Sequence, residues 1–254
     1  MTCKAQRRCG GLRAFSLVEL LIVIGVISVL MALLIPAVQE ALRVAHAIQC
    51  KSNIRQLTLA FLKYAKDHDG ELPGNYLDGL GMDGDWLGSF STTEGPDGPW
   101  RAPQNGTLWS YMGEQEEVYV CPSDAAGNGR FSYSAVLALT GVPVSALYRG
   151  AILTVLDEHD EEKEVHTAMP LLVEEHPLHN IGQDDHREGG FSGSDTLATR
   201  HGGGAHVGFA DGHVERIRVP AEWYAENLIL ITPSGKRLDL EKGEYRYGEL
   251  LDEM

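Results

Sequence analysis

"AFSLVELLIVIGVISVLMALLIPAVQEA", residues 14–41, is almost wholly apolar yet carries Glu19 near its start. The run from Phe15 to Val38 is long enough to cross a bilayer core, which takes about 20 residues at 1.5 Å each. A carboxylate within such a helix costs about 2.5–3.5 kcal/mol at the bilayer centre and less near its edge, so something has to compensate it. A removed secretory signal predicts a cleavage site after the run, but Ile35-Pro36-Ala37-Val38-Gln39-Glu40 leads into an amphipathic pattern with no Ala-x-Ala site. A plain anchor has no use for Glu19. A cut between Ala14 and Phe15 creates an α-amino cation at the helix start. Glu19 lies four residues on and on the same face, so the cation can neutralise it within one chain or between neighbours.

Charge is distributed to match. The formal net charge is −15, yet residues 1–14 hold Lys4, Arg7, Arg8 and Arg13 and no acid. The positive-inside rule places this short front in the cytoplasm and the acidic remainder across the membrane. An acidic chain without a basic face excludes nucleic acid as a partner. Cys3 and Cys9 fall in the basic front, Cys50 and Cys121 in the translocated part. One pair of thiols in an oxidising compartment suggests a disulfide; two buried thiols that never meet are the alternative.

Beyond Pro36, Cys50, Ile54, Leu57, Phe61 and Tyr64 recur at spacings of four and three, a single helical stripe. Lys51, Asn53, Arg55, Lys63 and Lys66 occupy much of the remaining surface, and Asp67-His68-Asp69-Gly70 stops the helix, with Gly70 suited to a left-handed cap. Residues 75–106 are rich in Gly, Asp, Ser and Pro and read as long loops. Short β-like runs follow at 118–122, 131–139, 151–156 and 168–173, while the acidic 157–164 reads as an exposed turn between strands. No βαβ alternation or internal repeat occurs, so the expected fold is α+β, a long N-terminal helix packed on a mostly antiparallel sheet head.

"RHGGGAHVGFADGHVERI", residues 200–217, concentrates His201, His206, Asp211 and His213, all residue types that ligate transition metals. Asp211-Gly212 also suits a two-residue type I′ turn. That turn would set Ala210 against His213, Phe209 against Val214 and Gly208 against Glu215. Phe209, Val214 and Val207 would then face the core, with His206 and His213 on the other face and far apart. The favoured role of His201 is structural, bonding backbone or carboxylate near the hairpin. Gly202-Gly203-Gly204 lacks the Lys-Ser/Thr and helix of a phosphate loop.

Residues 14–24, Ala14-Phe15-Ser16-Leu17-Val18-Glu19-Leu20-Leu21-Ile22-Val23-Ile24, resemble the cleavage and methylation motif of type IV prepilins and type II secretion pseudopilins. The resemblance implies a prepilin peptidase that cuts before Phe15 and methylates its amine, Glu19 guiding assembly, other pilin subunits and an inner-membrane assembly platform as partners, and a helix loosened at Pro36. One departure is Ala14, where the family normally has glycine. The spacing from His201 to Asp211-Gly212 resembles the H-x9-DG motif of a prepilin-like family of unknown function common in planctomycete-like bacteria. Residues 49–57 (QCKSNIRQL) and 120–124 (VCPSD) look like the same family.

The implied organisation is a leader over 1–14, a membrane and assembly helix over 15–38, its amphipathic continuation over 39–70 and an exported head over 71–254. The implied role is structural, with no enzyme activity and no required cofactor. Two metal alternatives stand beside it. Asp78, Asp83 and Asp85 offer oxygen ligands, and the resemblance implies that a head loop can hold calcium, although no complete EF-hand order is present. The other is a membrane-tethered, zinc-type hydrolase using His201 and Asp211, although neither G-x-S-x-G nor H-E-x-x-H occurs.

Overall fold

The computed structural model describes residues 16–74, 84–88, 103–124, 131–136, 144, 150–176, 190–191, 195–220, 227–231 and 237–239. Ala14, Phe15, Asp78 and Asp83 lie outside them. Two compact units divide the chain, Met1–Val44 and Ala45–Met254.

One helix, α1, covers Leu17–Asp67 and includes Pro36. At its start the Ser16 N–H donates to the Glu19 carboxylate at 2.9 Å, and the Leu20 N–H to the Ser16 carbonyl at 3.2 Å. This is half of a capping box, in which an acid in the first turn satisfies a backbone donor that the helix itself leaves unpaired. From Leu17 to Val44 every Leu, Ile, Val and Met is exposed, none below 45%. The helix is long and apolar enough to cross a membrane.

From Ala45 onward α1 belongs to the second unit and buries Cys50, Asn53, Ile54, Leu57, Thr58, Ala60, Phe61 and Ala65. The stripe of Cys50, Ile54, Leu57 and Phe61 is fully buried and Tyr64 partly so. Asn53 departs from its solvent-facing expectation. It sits three residues from Cys50 and four from Leu57, hence on the stripe, and its amide donates to the Glu117 and Val120 carbonyls at 3.3 and 3.0 Å. Gly70 closes the helix at φ +90°, its N–H reaching the Ala65 carbonyl at 2.8 Å.

The strands are β1 Tyr133–Val136, β2 Gly150–Leu156, β3 Glu162–Thr167, β4 Pro170–Glu174, β5 Gly190–Phe191, β6 Ala205–Phe209, β7 Val214–Ile217, β8 Ile229–Ile231 and β9 Arg237–Asp239. They form a five-stranded sheet ordered β5-β1-β4-β6-β7 and a four-stranded sheet ordered β3-β2-β8-β9, antiparallel except where β1 meets β5. The fold is therefore α+β. Residues of β4 and β6 are buried along their whole length, as in central strands covered on both faces. Helix α1 covers β6 closely. A Cβ at Gly208 would meet Thr58 Oγ1 at 2.0 Å, so only glycine allows this approach. Phe61, Trp86, Tyr119, Tyr133 and Phe209 are the largest aromatic side chains of the core.

Three local readings are corrected. Glu116–Tyr119 is a 3-10 helix rather than a strand, because Asn53 and Cys50 hold this segment and Cys121 against α1 and not against a neighbouring strand. The acidic stretch is a turn only over its first part. Asp157 Oδ1 accepts the His159 and Glu161 N–H groups at 2.8 and 3.0 Å, and Glu162, Lys163 and Glu164 continue into β3. As an edge strand, β3 carries these charges on its exposed positions, which discourages pairing with other chains. The hairpin register is shifted by one: Gly208 pairs with Val214 and Val207 with Glu215, while Phe209 and His213 stack at 4.2 Å. A type I′ turn needs positive φ at both central residues. Here Gly212 has it at +84° and Asp211 does not, so the loop is the three-residue form, Ala210-Asp211-Gly212, with glycine in the left-handed position.

Candidate functional site

Three stretches singled out in the sequence, around residues 49–57, 120–124 and 200–217, meet at one buried place. Cys50 of α1 and Cys121 form a disulfide with Cα atoms 5.1 Å apart and a sequence separation of 71. His201 lies against it, with Nε2 3.4 Å from Cys121 Sγ and 3.1 Å from Glu174 Oε1. Glu174 ends β4. Its other oxygen accepts the His206 N–H at 2.8 Å, and His206 Nδ1 lies 3.4 Å from Oε1. The two imidazoles are 4.6 Å apart between centroids. Glu174, His201 and His206 are all buried.

Burial by itself raises the pKa of Glu174, but hydrogen bonds and charge from His201 and His206 outweigh it and hold the carboxyl down at about 2. Around this centre the satisfaction of polar groups continues. Ser132 Oγ accepts the Cys121 N–H at 3.0 Å and donates to Asp124 at 2.7 Å. Arg200 pairs with Asp124 at 3.3 Å and donates to the Glu175 carbonyl at 2.7 Å. The Ser134 hydroxyl donates to the Glu175 carboxylate. Tyr133 reaches the Cys50 carbonyl at 3.5 Å, and burial pushes its phenol pKa up. Each buried side chain named here has at least one polar partner, as a low-dielectric interior demands.

Among the described residues, His201 and Asp211 share no partner. Asp211 stands at the exposed hairpin tip, where its carboxylate accepts the His213 N–H at 3.0 Å and contacts the His213 ring. These bonds hold its pKa below the usual carboxylate range despite partial burial. Gly212 at the same tip faces α1, where an added Cβ would lie 3.6 Å from Leu59. The two ends of the spacing thus do separate jobs: His201 ties the start of the hairpin to Glu174 and the disulfide, and Asp211-Gly212 turns the chain against the helix. Asp85 is buried, accepts the Leu87 N–H at 2.9 Å and forms a bridge with Gly74.

Sequence reasoning missed Glu174. Its signal was present: the apolar run Leu171-Leu172-Val173 ends in two adjacent acids, and carboxylates closing a buried strand need partners nearby. No family model, curated protein or solved structure matches the chain. Among the described residues, Cys50, Cys121, Glu174 and His201 are the one group of metal-ligating side chains with ligand atoms all within 4.8 Å of one another. With the sulfurs bonded to each other, the cluster locks α1 to the sheet and offers no open coordination position.

Proposed function

We propose that the chain is a pilin-like structural subunit. In this reading a prepilin peptidase cuts between Ala14 and Phe15 and methylates Phe15, and the apolar helix then assembles into a type IV pilus or type II secretion pseudopilus-like filament. The observation that carries the reading is one helix that joins a wholly exposed apolar surface, Leu17 to Val44, to a carboxylate at its very start. Such a surface needs lipid or copies of itself. Glu19 already reaches back to the Ser16 N–H, the residue that follows Phe15 in sequence, so its carboxylate is turned toward the helix start, where this reading needs a cation.

In the same reading the chain is a single-pass protein of the inner membrane, with its basic front cytoplasmic and its head exported, handed by an assembly platform to neighbouring subunits. A head held by a buried disulfide suits an oxidising compartment. The work is mechanical: side chains that face lipid before assembly face other subunits afterwards. Mass spectrometry of the N-terminal peptide from the cells that make the protein tests this. An N-methylated Phe15 start is expected, and a retained Met1 would overturn the proposal.

A further inference from the structure

Cys50, Cys121, Glu174 and His201 each direct one ligand atom into a common volume, all within 4.8 Å of one another and all buried. Two sulfurs, an imidazole nitrogen and a carboxylate oxygen are a complete ligand set for a tetrahedral thiophilic cation. We infer that, when the Cys50–Cys121 bond is reduced, these four side chains close around a single divalent cation of the zinc class, and that oxidation to the disulfide expels it. The site is distinct from the His201 and Asp211 pairing, and it does not depend on the filament reading.

Bonds of about 2.0–2.3 Å to a tetrahedral ion place its ligands roughly 3.3–3.8 Å apart, so the sulfurs must separate. His201 Nε2 already lies 3.1 Å from Glu174 Oε1 and 3.4 Å from Cys121 Sγ, close to that spacing. The surroundings keep the ligands together without the disulfide. The Asn53 amide holds the Glu117 and Val120 carbonyls, which keeps the chain leading to Cys121 against α1. The Ser132 hydroxyl holds the Cys121 N–H. The His206 N–H occupies one oxygen of Glu174, and the other faces His201 at 3.1 Å, with His206 Nδ1 farther off at 3.4 Å. Outer hydrogen bonds of this kind orient metal ligands.

The steps balance. A dithiol reductant breaks the sulfur–sulfur bond, places one proton on each sulfur and becomes a disulfide itself. The cation then displaces both thiol protons to solvent, leaving two thiolates, the Glu174 carboxylate and a neutral His201 imidazole around it. A disulfide oxidant takes two electrons back from the thiolates and two protons from solvent, becoming a dithiol, while the protein's sulfur–sulfur bond re-forms and the ion departs.

The full chain in detergent, reduced with a dithiol and desalted without oxygen, is titrated with cobalt(II) and then zinc(II). One cobalt per chain is expected, with the visible absorption of a tetrahedral thiolate complex that zinc abolishes; the oxidised chain should show none. His201→Gln and Glu174→Gln should each weaken binding on the order of tenfold or more, and Cys50→Ser should remove the two-thiolate signature. Absence of the band, equal binding by the oxidised chain, or an undiminished band in His201→Gln would each overturn the inference. If reduction costs the head its fold, near-ultraviolet circular dichroism decides: recovery on adding zinc supports the site and no recovery rejects it.

Discussion

Leu17–Val44 and Ala45–Asp67 are stretches of one helix written for different surroundings. In the first, apolar residues cover every face and all are exposed. In the second, one stripe is buried while Lys51, Arg55, Lys63 and Lys66 stay in water. A helix that is apolar all round suits an apolar solvent or other apolar surfaces, whereas an amphipathic one completes the core it belongs to. In the proposed reading the first stretch decides where the protein resides, and the second completes the head.

The largest effect that sharpens this contrast comes from removing the disulfide. Cys50→Ser together with Cys121→Ser frees a loop with a sequence separation of 71, which the chain-entropy estimate values at about 4 kcal/mol. Thermal denaturation of the oxidised full chain should show the head melting on the order of 10 °C lower. Partition into membranes should be unchanged, because the apolar stretch makes no use of the bond. An unchanged melting point, or a lost membrane fraction in folded protein, would break the comparison.

Acid provides the next effect. The folded pKa of Glu174 is depressed to about 2 from its ordinary value of 4.5. A depressed carboxyl contributes stability that is fully present above the unfolded value and is lost as pH falls through the folded one. Over that window, from about pH 4.5 down to 2, the loss from this group is roughly 3 kcal/mol. Denaturant titrations across the window should show a steep acid limb that flattens in Glu174→Gln. An identical limb in the variant would place the acid sensitivity elsewhere.

Residue by residue, legibility follows the range of the interaction. The Cys50, Ile54, Leu57, Phe61 stripe was readable because helical period is a local property, and so were the stop at Gly70 and the turn at Asp211-Gly212. The hairpin register was not, since the same Ala-Asp-Gly serves a two-residue and a three-residue loop. The choice falls to packing, with the Ala210 N–H tied to the Met169 carbonyl at 2.8 Å. Cys50 and Cys121 could be suspected but not paired from sequence, because pairing is a distance. Glu174 lay 27 residues from His201 with nothing local to join them. Asn53 reads as polar and therefore exposed, until the carbonyls of Glu117 and Val120, 64 and 67 residues away, are brought to it.

The smallest effect has the opposite sign. Tyr119 is completely buried, stacked with Trp86 at 6.3 Å, and among the described residues its hydroxyl oxygen has no hydrogen-bond partner. Burial also pushes its pKa up, so the phenol stays neutral. An unpaired buried hydroxyl costs about 1–3 kcal/mol relative to a bonded one. Tyr119→Phe removes the group and keeps the ring, and should raise the stability of the head by about 1 kcal/mol, measured by denaturant unfolding. Ser132 and Asn53, by contrast, are hydrogen-bonded within the same cluster, so truncating either should destabilise. If Tyr119→Phe destabilised as they do, the hydroxyl would belong to the same bonded network, and the contrast between satisfied and unsatisfied groups in this core would disappear.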